Sequence, residues 1–272
     1  MSTSEQAQEL HVVLHTEGAV AWIRFNRPDK LNPISTVARR QLDAALKQAE
    51  RDEAVRCVVL IGSGRAFSAG ADVQEMAGGP AEGMRTAEDI GLVLREEYGA
   101  ILRRIRTMPK PVIAGLNGLA AGIGASIAMA CDMRIASEDA YLSEAFVNIG
   151  LGPDGGVSWM LPRFLGRGRA LEMFFTADRL SARDAERFGL VNRVVPGTEV
   201  ESECRALAQR LASGSARAIA GAKRAVNFAE DSTFEDAVEF ESYIQESCAS
   251  GPDFPEGVAA FLGKRKPEFN RE

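Results

Sequence analysis

The chain opens with an alternation of short apolar runs and a segment of helical periodicity. Residues 11–15 and 19–25 are β-rich runs separated by Glu17-Gly18, which predicts a β-hairpin. After a polar loop, apolar residues recur at the spacing of a helix, at Ala38, Leu42, Ala45, Leu46 and Ala49. Hairpin, loop and helix therefore form one predicted unit.

This unit returns in the following residues without sequence identity. A buried strand is predicted at 57–61, a loop at 62–72, and a helix at 90–105, where apolar residues again have helical spacing. Further apolar runs at 111–114 and 133–136 predict two more strands. Strands and helices that alternate in this way favour a repeated α/β architecture.

The stretch 117–132 changes from glycine-rich to alanine-rich and follows a predicted strand. It therefore predicts a tight turn and then a buried helix. The first N–H groups of a helix lack intrahelical partners and lie at the positive end of the helix dipole, so they can stabilise an oxyanion. The candidate donors are Gly122, Ile123 and Gly124. Alternatively, the small residues only allow the helix to pack close to a strand.

The chain becomes consecutively helical from about residue 198. Helices are predicted at 200–211, 216–229 and 234–247, and a short one at 255–262. The third carries an apolar stripe formed by Phe234, Ala237, Val238 and Ile244. We therefore divide the chain into a core, residues 1–197, and a helical region, residues 198–272. The apolar stripes could pack on the chain's own core or on a neighbouring subunit.

Composition and charge limit the classes of function. The 272 residues are 46% hydrophobic and 26% charged, as in ordinary soluble proteins. A formal net charge of −6 disfavours nucleic acid as a partner. The four cysteines are scattered, which favours reduced thiols over disulfides or a zinc site. Neither glycine cluster, 62–64 or 118–124, has the spacing of a nucleotide-binding motif. With no apolar signal segment at the start and no stretch of about 18 apolar residues, we expect a cytoplasmic protein without membrane contact.

Three motifs, in this order and spacing, carry a family resemblance. They are Asn26-Arg27-Pro28 with Leu31-Asn32, then Arg-Ala-Phe-Ser-Ala-Gly-Ala-Asp at 65–72, and Asn-Gly-Leu-Ala-Ala-Gly-Ile-Gly at 117–124. Together with Phe-Leu-Gly-Lys-Arg-Lys at 261–266, they resemble the crotonase, or enoyl-CoA hydratase/isomerase, superfamily from about residue 12 to residue 269. The resemblance implies an α/β spiral of repeated ββα units. It also implies a C-terminal helical trimerisation region and a homotrimer or a hexamer made of two trimers.

The resemblance also implies a site. Members bind an acyl-CoA thioester, need no cofactor beyond its coenzyme A moiety, and hold its enolate with two backbone amides, which fall here on Ala71 and Ile123. The side chain of Ile123, where the family often has glycine, is expected to narrow the acyl pocket. The implied coenzyme A contacts are Lys30, near the phosphates, Ala69, near the adenine, and Asp72, Phe261 and Lys264, some of them in a neighbour's site. Met84, Leu92 and the stretch 77–86 are expected to form a wall of the acyl pocket.

The two glutamates with which family hydratases activate water are missing. Their positions fall on Ser126 and Phe146. Glu144 is only two residues from Phe146, but residues at that spacing do not share a face of a helix, so it is a poor substitute.

Asp154 is the carboxylate that this segment offers instead. It resembles the single catalytic aspartate of the isomerase branch, which includes enzymes of phenylacetyl-CoA degradation and dienoyl-CoA isomerases. It also matches the nucleophilic aspartate of 4-chlorobenzoyl-CoA dehalogenases, but those need a histidine, and His11 and His15 both lie in the predicted hairpin. From local sequence, Asp154 could equally be the N-cap of a helix that starts near Val157.

We therefore predict an acyl-CoA isomerase that moves a double bond from the 3-enoyl to the 2-enoyl position, or acts on a related ring-derived thioester. Apolar neighbours should raise the pKa of Asp154 and let it serve as the sole acid/base. The alternative enzyme is an enoyl-CoA hydratase. A different class, a scaffold that binds RNA or assembles without catalysis, is disfavoured by the acidic charge and by Asp154.

Overall fold

The computed structural model describes residues 10–76 and 86–269. In chain order its strands are β1 Val12–Glu17, β2 Val20–Phe25, β3 Cys57–Gly62, β4 Ala66–Ser68, β5 Val112–Leu116, β6 Leu119–Ala121, β7 Met133–Ser137, β8 Tyr141–Ser143, β9 Leu180–Ser181 and β10 Arg193–Val195. Its helices are α1 Thr36–Arg51, α2 Val73–Met76, α3 Ala87–Val93, α4 Gly99–Thr107, α5 Ile123–Ala130, α6 Val157–Leu165, α7 Arg167–Thr176, α8 Ala182–Arg187, α9 Val200–Ala212, α10 Ala216–Ala229, α11 Phe234–Ala249 and α12 Asp253–Leu262.

Within the described residues the strands form two sheets. The larger has the order β1-β2-β3-β5-β7-β10, and only the β1–β2 hairpin in it is antiparallel. The smaller has the order β4-β6-β8-β9, with β8 and β9 antiparallel. The strand pairs β3–β4, β5–β6 and β7–β8 each place one strand in the larger sheet and the next in the smaller sheet before a helix follows. This is the predicted spiral of ββα units.

The short strands of the smaller sheet correct the sequence analysis. β4 lies inside the predicted loop 62–72, and β6 lies where only a turn was predicted. Strands of three residues are too short to show an alternating pattern, so their presence depends on pairing with a neighbour. The corner between β5 and β6 requires glycine, because a Cβ on Gly118 would lie 2.0 Å from the carbonyl oxygen of Arg65. The helix predicted at 90–105 is present but contains a π turn at Leu94–Tyr98.

Apolar residues pack on both faces of the larger sheet. One face is covered by helices that include α1, where all five residues of the predicted stripe are buried. The other face, with Trp22, Val59 and Ile113, is covered by Val200 and Cys204 of α9. The first helix of the region 198–272 therefore packs on the chain's own core, and the division at 197/198 stays a prediction.

The last three helices present apolar side chains to the surface of the single chain. In the stripe predicted on α11, Ile244 is buried, whereas Phe234 is 78% exposed and Val238 is 48% exposed. In residues 10–76 and 86–269, no helix combines the length and apolar character that crossing a membrane would require.

Candidate active site

A cavity of about 170 Å³ lies where the segment after β4, the start of α5 and the turn after β8 meet. It brings together four of the predicted site residues: Ala69, Ala71, Ile123 and Asp154. Its remaining wall is mainly apolar and includes Val73, Met76, Phe146, Ile149 and Leu151. Such a wall suits an acyl group, and Asp154 is the one ionisable residue that lines it in the described part of the chain.

The backbone around Ala71 leaves its amide free. Ile34 donates its N–H to the carbonyl of Gly70 at 2.7 Å and accepts from the N–H of Asp72 at 3.3 Å. Because the peptides on either side are paired with Ile34, the N–H of Ala71 is turned to the other side, and it has no acceptor among the described residues. The next residue, Asp72, is ion-paired with Arg27 at 2.8 Å and so anchors this segment.

The second free amide begins α5. Gly122 has a φ of 49° and donates its own N–H to the carbonyl of Ser143 at 2.9 Å, which ties the start of the helix to β8. The N–H of Ile123 follows and has no acceptor within residues 10–76 and 86–269. It also lies at the positive end of the helix dipole. Two unpaired amides therefore border one cavity, and this arrangement can hold a developing oxyanion.

Asp154 sits in the turn before α6. Its backbone carbonyl accepts from the N–H of Val157 at 3.2 Å, but α6 has Gly156 as its N-cap and no side-chain capping bond. The side chain of Asp154 is therefore not the helix cap that local sequence allowed. Its Oδ1 is buried with no hydrogen-bond partner in the described residues, and burial raises the pKa of Asp154 to about 6. Desolvation has this effect because it disfavours the charged form of a carboxyl group.

Neither of the two hydratase positions carries an acid, and both residues there shape the site. Ser126 is buried, and its hydroxyl lies within donating distance of the carbonyls of Asp154, at 3.2 Å, and Gly122, at 3.3 Å. Phe146 lines the cavity. The turn at Gly155 packs closely on α5, because a Cβ there would lie 2.5 Å from Ile123 Cδ1 and 2.7 Å from Ser126 Cβ. The side chain of Ile123 thus abuts the Asp154 turn.

Glu144 is the residue that the sequence analysis underrated. It is 1% exposed, and neither carboxyl oxygen has a partner among the described residues. Burial, and then the charge of Asp154, raise the pKa of Glu144 well above its usual value. As predicted, it does not share the cavity-lining position of Phe146. The sequence feature that could have indicated this burial is the position of the Glu144 carboxylate between a buried strand and an apolar turn.

Four other predicted contact residues lie outside the cavity lining. Lys30, Phe261 and Lys264 are exposed, and the carboxylate of Asp72 pairs with Arg27. Their coenzyme A contacts, like that of Ala69, stay predictions. Of the predicted acyl-pocket wall, residues 77–85, including Met84, lie outside the described residues, and Leu92 is exposed and does not line the cavity.

Both histidines belong to the region of the hairpin. Nδ1 of His11 lies 2.7 Å from the hydroxyl of Ser35, and His15 stacks on Trp22. Neither lines the cavity, so the water-activating histidine of a dehalogenase has no counterpart in its lining.

Comparison with known proteins identifies the family of this chain. A sequence profile described as Enoyl-CoA hydratase/isomerase matches residues 15–272. The 1,2-epoxyphenylacetyl-CoA isomerase of Escherichia coli is 37% identical, covering 95% of this chain and 97% of its own length. A probable enoyl-CoA hydratase of Rhodobacter capsulatus is 41% identical, covering 92% and 94%. The crystal structure of an enoyl-CoA hydratase subunit from Geobacillus kaustophilus superposes with a TM-score of 0.88 at 38% identity, covering 97% of this chain and 99% of that one.

These similarities extend over nearly the whole chain, and the spiral of ββα units agrees with them. The relatives carry the names of both isomerases and hydratases. The comparison therefore defines the family but does not distinguish between the two reactions. An acyl-CoA substrate is consistent with the family. The chain is thus an enzyme that belongs to the enoyl-CoA hydratase/isomerase family of the crotonase superfamily.

Proposed function

We propose that the protein is an acyl-CoA isomerase that moves a double bond from the 3-enoyl to the 2-enoyl position, or acts on a related ring-derived thioester. The observation that carries the proposal is the composition of the cavity: one carboxylate, Asp154, and two unpaired amides, at Ala71 and Ile123. A double-bond shift needs one group that removes a proton and returns it, together with donors that stabilise the enolate.

In the proposed reaction the thioester oxygen accepts hydrogen bonds from the amides of Ala71 and Ile123. The carboxylate of Asp154 takes a proton from the carbon next to the thioester, and the electron pair of that C–H bond moves into a dienolate. The negative charge on the thioester oxygen is then stabilised by donors that are already in place. Asp154 returns the proton to the carbon at the far end of the dienolate, which restores the carboxylate.

The pKa of Asp154 suits this exchange. A carboxyl group with a pKa of about 6 is largely ionised at neutral pH and is a stronger base than an exposed aspartate. Turnover should therefore rise as pH increases through about 6 and then level off with respect to this group. Desolvation by the apolar wall is the cause, as the neighbours of Asp154 in the sequence predicted.

Hydration of an enoyl-CoA is the second candidate, favoured by the names of relatives such as the Rhodobacter capsulatus protein. The site argues against it, because Ser126 and Phe146 stand where hydratases carry their two glutamates. A ring-derived substrate is supported by the similarity to the Escherichia coli isomerase.

The deciding experiment compares Asp154→Asn and Asp154→Ala with the wild type on 3-hexenoyl-CoA and crotonyl-CoA. We expect isomerisation in the wild type to exceed hydration. Asp154→Asn, which keeps the size of the side chain but cannot accept the proton, should lower isomerase turnover roughly 10²-fold or more, with acyl-CoA binding retained. An Asp154→Asn enzyme with wild-type turnover, or a wild type that only hydrates crotonyl-CoA, would contradict the proposal.

We further propose assembly into a homotrimer or a hexamer made of two trimers. Support comes from large apolar side chains exposed on α10 to α12 of the single chain, among them Val226, Phe234, Phe254, Phe261 and Leu262. Sedimentation at micromolar concentration tests this, since a monomer there would be incompatible with it.

A further inference from the structure

Glu144 is a buried ionisable group that has no role in the proposed reaction. Its side chain is 1% exposed, and both carboxyl oxygens lack a hydrogen-bond partner among the described residues. A buried carboxylate without partners is energetically costly, so a group in this environment holds its proton. Because a neutral carboxylic acid is an unusual residue to bury next to a catalytic cavity, its place in the site needs an explanation.

The backbone holds Glu144 directly behind the cavity wall. It follows β8 and precedes Ala145 and Phe146, which both line the cavity. The carbonyl of the preceding residue, Ser143, accepts a hydrogen bond from the N–H of Gly122 at 2.9 Å. The segment that carries Glu144 is therefore hydrogen-bonded to the start of α5. Glu144 does not itself line the cavity, so its effect on the reaction is exerted through a neighbouring residue.

That neighbour is Asp154, the one charged group that contributes to the raised pKa of Glu144 besides burial itself. β6 and α5 carry no ionisable side chains, nor does β9, and Arg179 just before β9 stacks on Tyr141. The charged side chains of α7, which packs on the turn after Glu144, are exposed: Arg167, Arg169 and Glu172. The charge of Asp154 also acts on Tyr98. Burial is the main cause that raises the pKa of Tyr98 to about 12, so this residue is neutral. Hence no cation of the described residues offsets the two carboxyls.

We propose that Glu144 is a positioning residue that keeps its proton throughout turnover, so that Asp154 is the one carboxyl of the pair that ionises, takes up the substrate proton and returns it. This inference rests on the proposed isomerase role of Asp154. A second negative charge buried beside the cavity would oppose the enolate that forms on the thioester oxygen. Ionisation of Glu144 at alkaline pH therefore stops turnover, while ionisation of Asp154 starts it.

The test is the pH dependence of kcat/KM for 3-hexenoyl-CoA in the wild type and in Glu144→Gln. The amide keeps the size of the side chain and stays neutral at every pH. The wild type should show an acid limb from Asp154 and an alkaline limb from Glu144. Glu144→Gln should keep the acid limb and lose the alkaline limb. One pH unit above the wild-type alkaline midpoint the variant should then be about tenfold faster relative to its own maximum.

Glu172→Gln is the matched control, because Glu172 is an exposed carboxylate on a helix that packs on the same turn. Both limbs should remain in this variant. A merely structural Glu144 would alter stability but leave the alkaline limb in place. An alkaline limb that persists unchanged in Glu144→Gln, or a wild type that has none, would overturn the inference.

A second measurement does not depend on turnover. In the wild type at about pH 8, where Asp154 is ionised, infrared spectroscopy should reveal the carbonyl band of a protonated carboxyl group, and the band should vanish in Glu144→Gln. Its absence from the wild type would also overturn the inference, even if Glu144→Gln did not fold. The outcomes separate the two proposals: an active Asp154→Asn enzyme removes the isomerase role, whereas an inactive one together with a wild type that has no protonated Glu144 removes only the role of Glu144.

Discussion

The two ends of α5 differ in whether their backbone polar groups are hydrogen-bonded within the protein. At the C-terminal end, the buried Arg134 donates to the carbonyl oxygens of Met129 and Cys131, at 3.1 and 2.6 Å. At the N-terminal end, the N–H of Ile123 has no acceptor within the described residues. The same helix therefore has one terminus where Arg134 pairs the carbonyl groups within the protein and one where the N–H of Ile123 remains available to a ligand.

The carboxylates beside the two ends differ in the same way. Asp132, after the C-terminal end, accepts from Lys223 Nζ at 2.8 Å and from the N–H of Val112 at 2.7 Å. Asp154, beside the N-terminal end, has a buried Oδ1 without a partner among the described residues. Unpaired buried groups lower stability, so their concentration at one end agrees with the binding and catalysis proposed there, whereas the paired end stabilises the fold.

The largest expected effect is at the paired end. Arg134→Leu would remove the charged donor and leave several buried carbonyls unpaired, so we expect a loss of about 3–5 kcal/mol in the free energy of unfolding. Urea denaturation followed by circular dichroism measures it. Turnover per folded molecule should stay near the wild-type value, because Arg134 does not line the cavity. If the leucine variant does not fold, Arg134→Lys, which keeps a charge, should show a smaller loss. A loss below about 1 kcal/mol in Arg134→Leu would contradict the comparison.

At the free end the expected effect on stability has the opposite sign. The folded-state pKa of Asp154, about 6, exceeds the ordinary value of 3.8, so the stability linked to this group is present below pH 3.8 and is lost as pH rises through 6. Asp154→Asn lacks this loss and should be more stable than the wild type above pH 6, by up to about 3 kcal/mol. Thermal unfolding at acid and neutral pH tests this, and equal stability at both would remove the claim that the site is strained electrostatically.

A smaller effect is expected where the two elements of the free end meet. Ser126→Ala removes the hydroxyl that lies 3.2 Å from the carbonyl of Asp154. That carbonyl keeps its bond from Val157, so the loss should be about 1 kcal/mol or less in stability, with turnover lowered a few-fold. Urea denaturation and initial rates measure the two quantities. A loss of turnover as large as that of Asp154→Asn would show that Ser126 takes part in the chemistry.

Patterns that span whole elements were predictable. The apolar spacing around Leu42 predicted α1, and α10 was predicted with the bounds that the structure has. The short strands β4 and β6 were not, since a three-residue strand is defined by its neighbour in space rather than by its own sequence. The location of Asp154 beside two amides followed from family motifs, and its raised pKa followed from its apolar neighbours.

The environment of Glu144 could not be predicted from the sequence. Spacing correctly indicated that Glu144 and Phe146 do not occupy equivalent positions, but spacing within one segment does not reveal which distant segment comes near. The charge of Asp154 acts on Glu144, whose segment is joined to the start of α5 by the hydrogen bond from Gly122 to Ser143. Contacts of this kind between separate turns of the spiral have no local signature.

The tight packing of the Gly155 turn on α5 limits how this enzyme can change its reaction during evolution. A glutamate in place of Ser126 would need the volume next to Gly155, where even a Cβ would come within 2.7 Å of the Ser126 side chain. We therefore expect Ser126→Glu together with Phe146→Glu to support hydration only if the backbone from Asp154 to Gly156 also moves. The side chain that residue 126 can carry thus depends on the conformation of a three-residue turn.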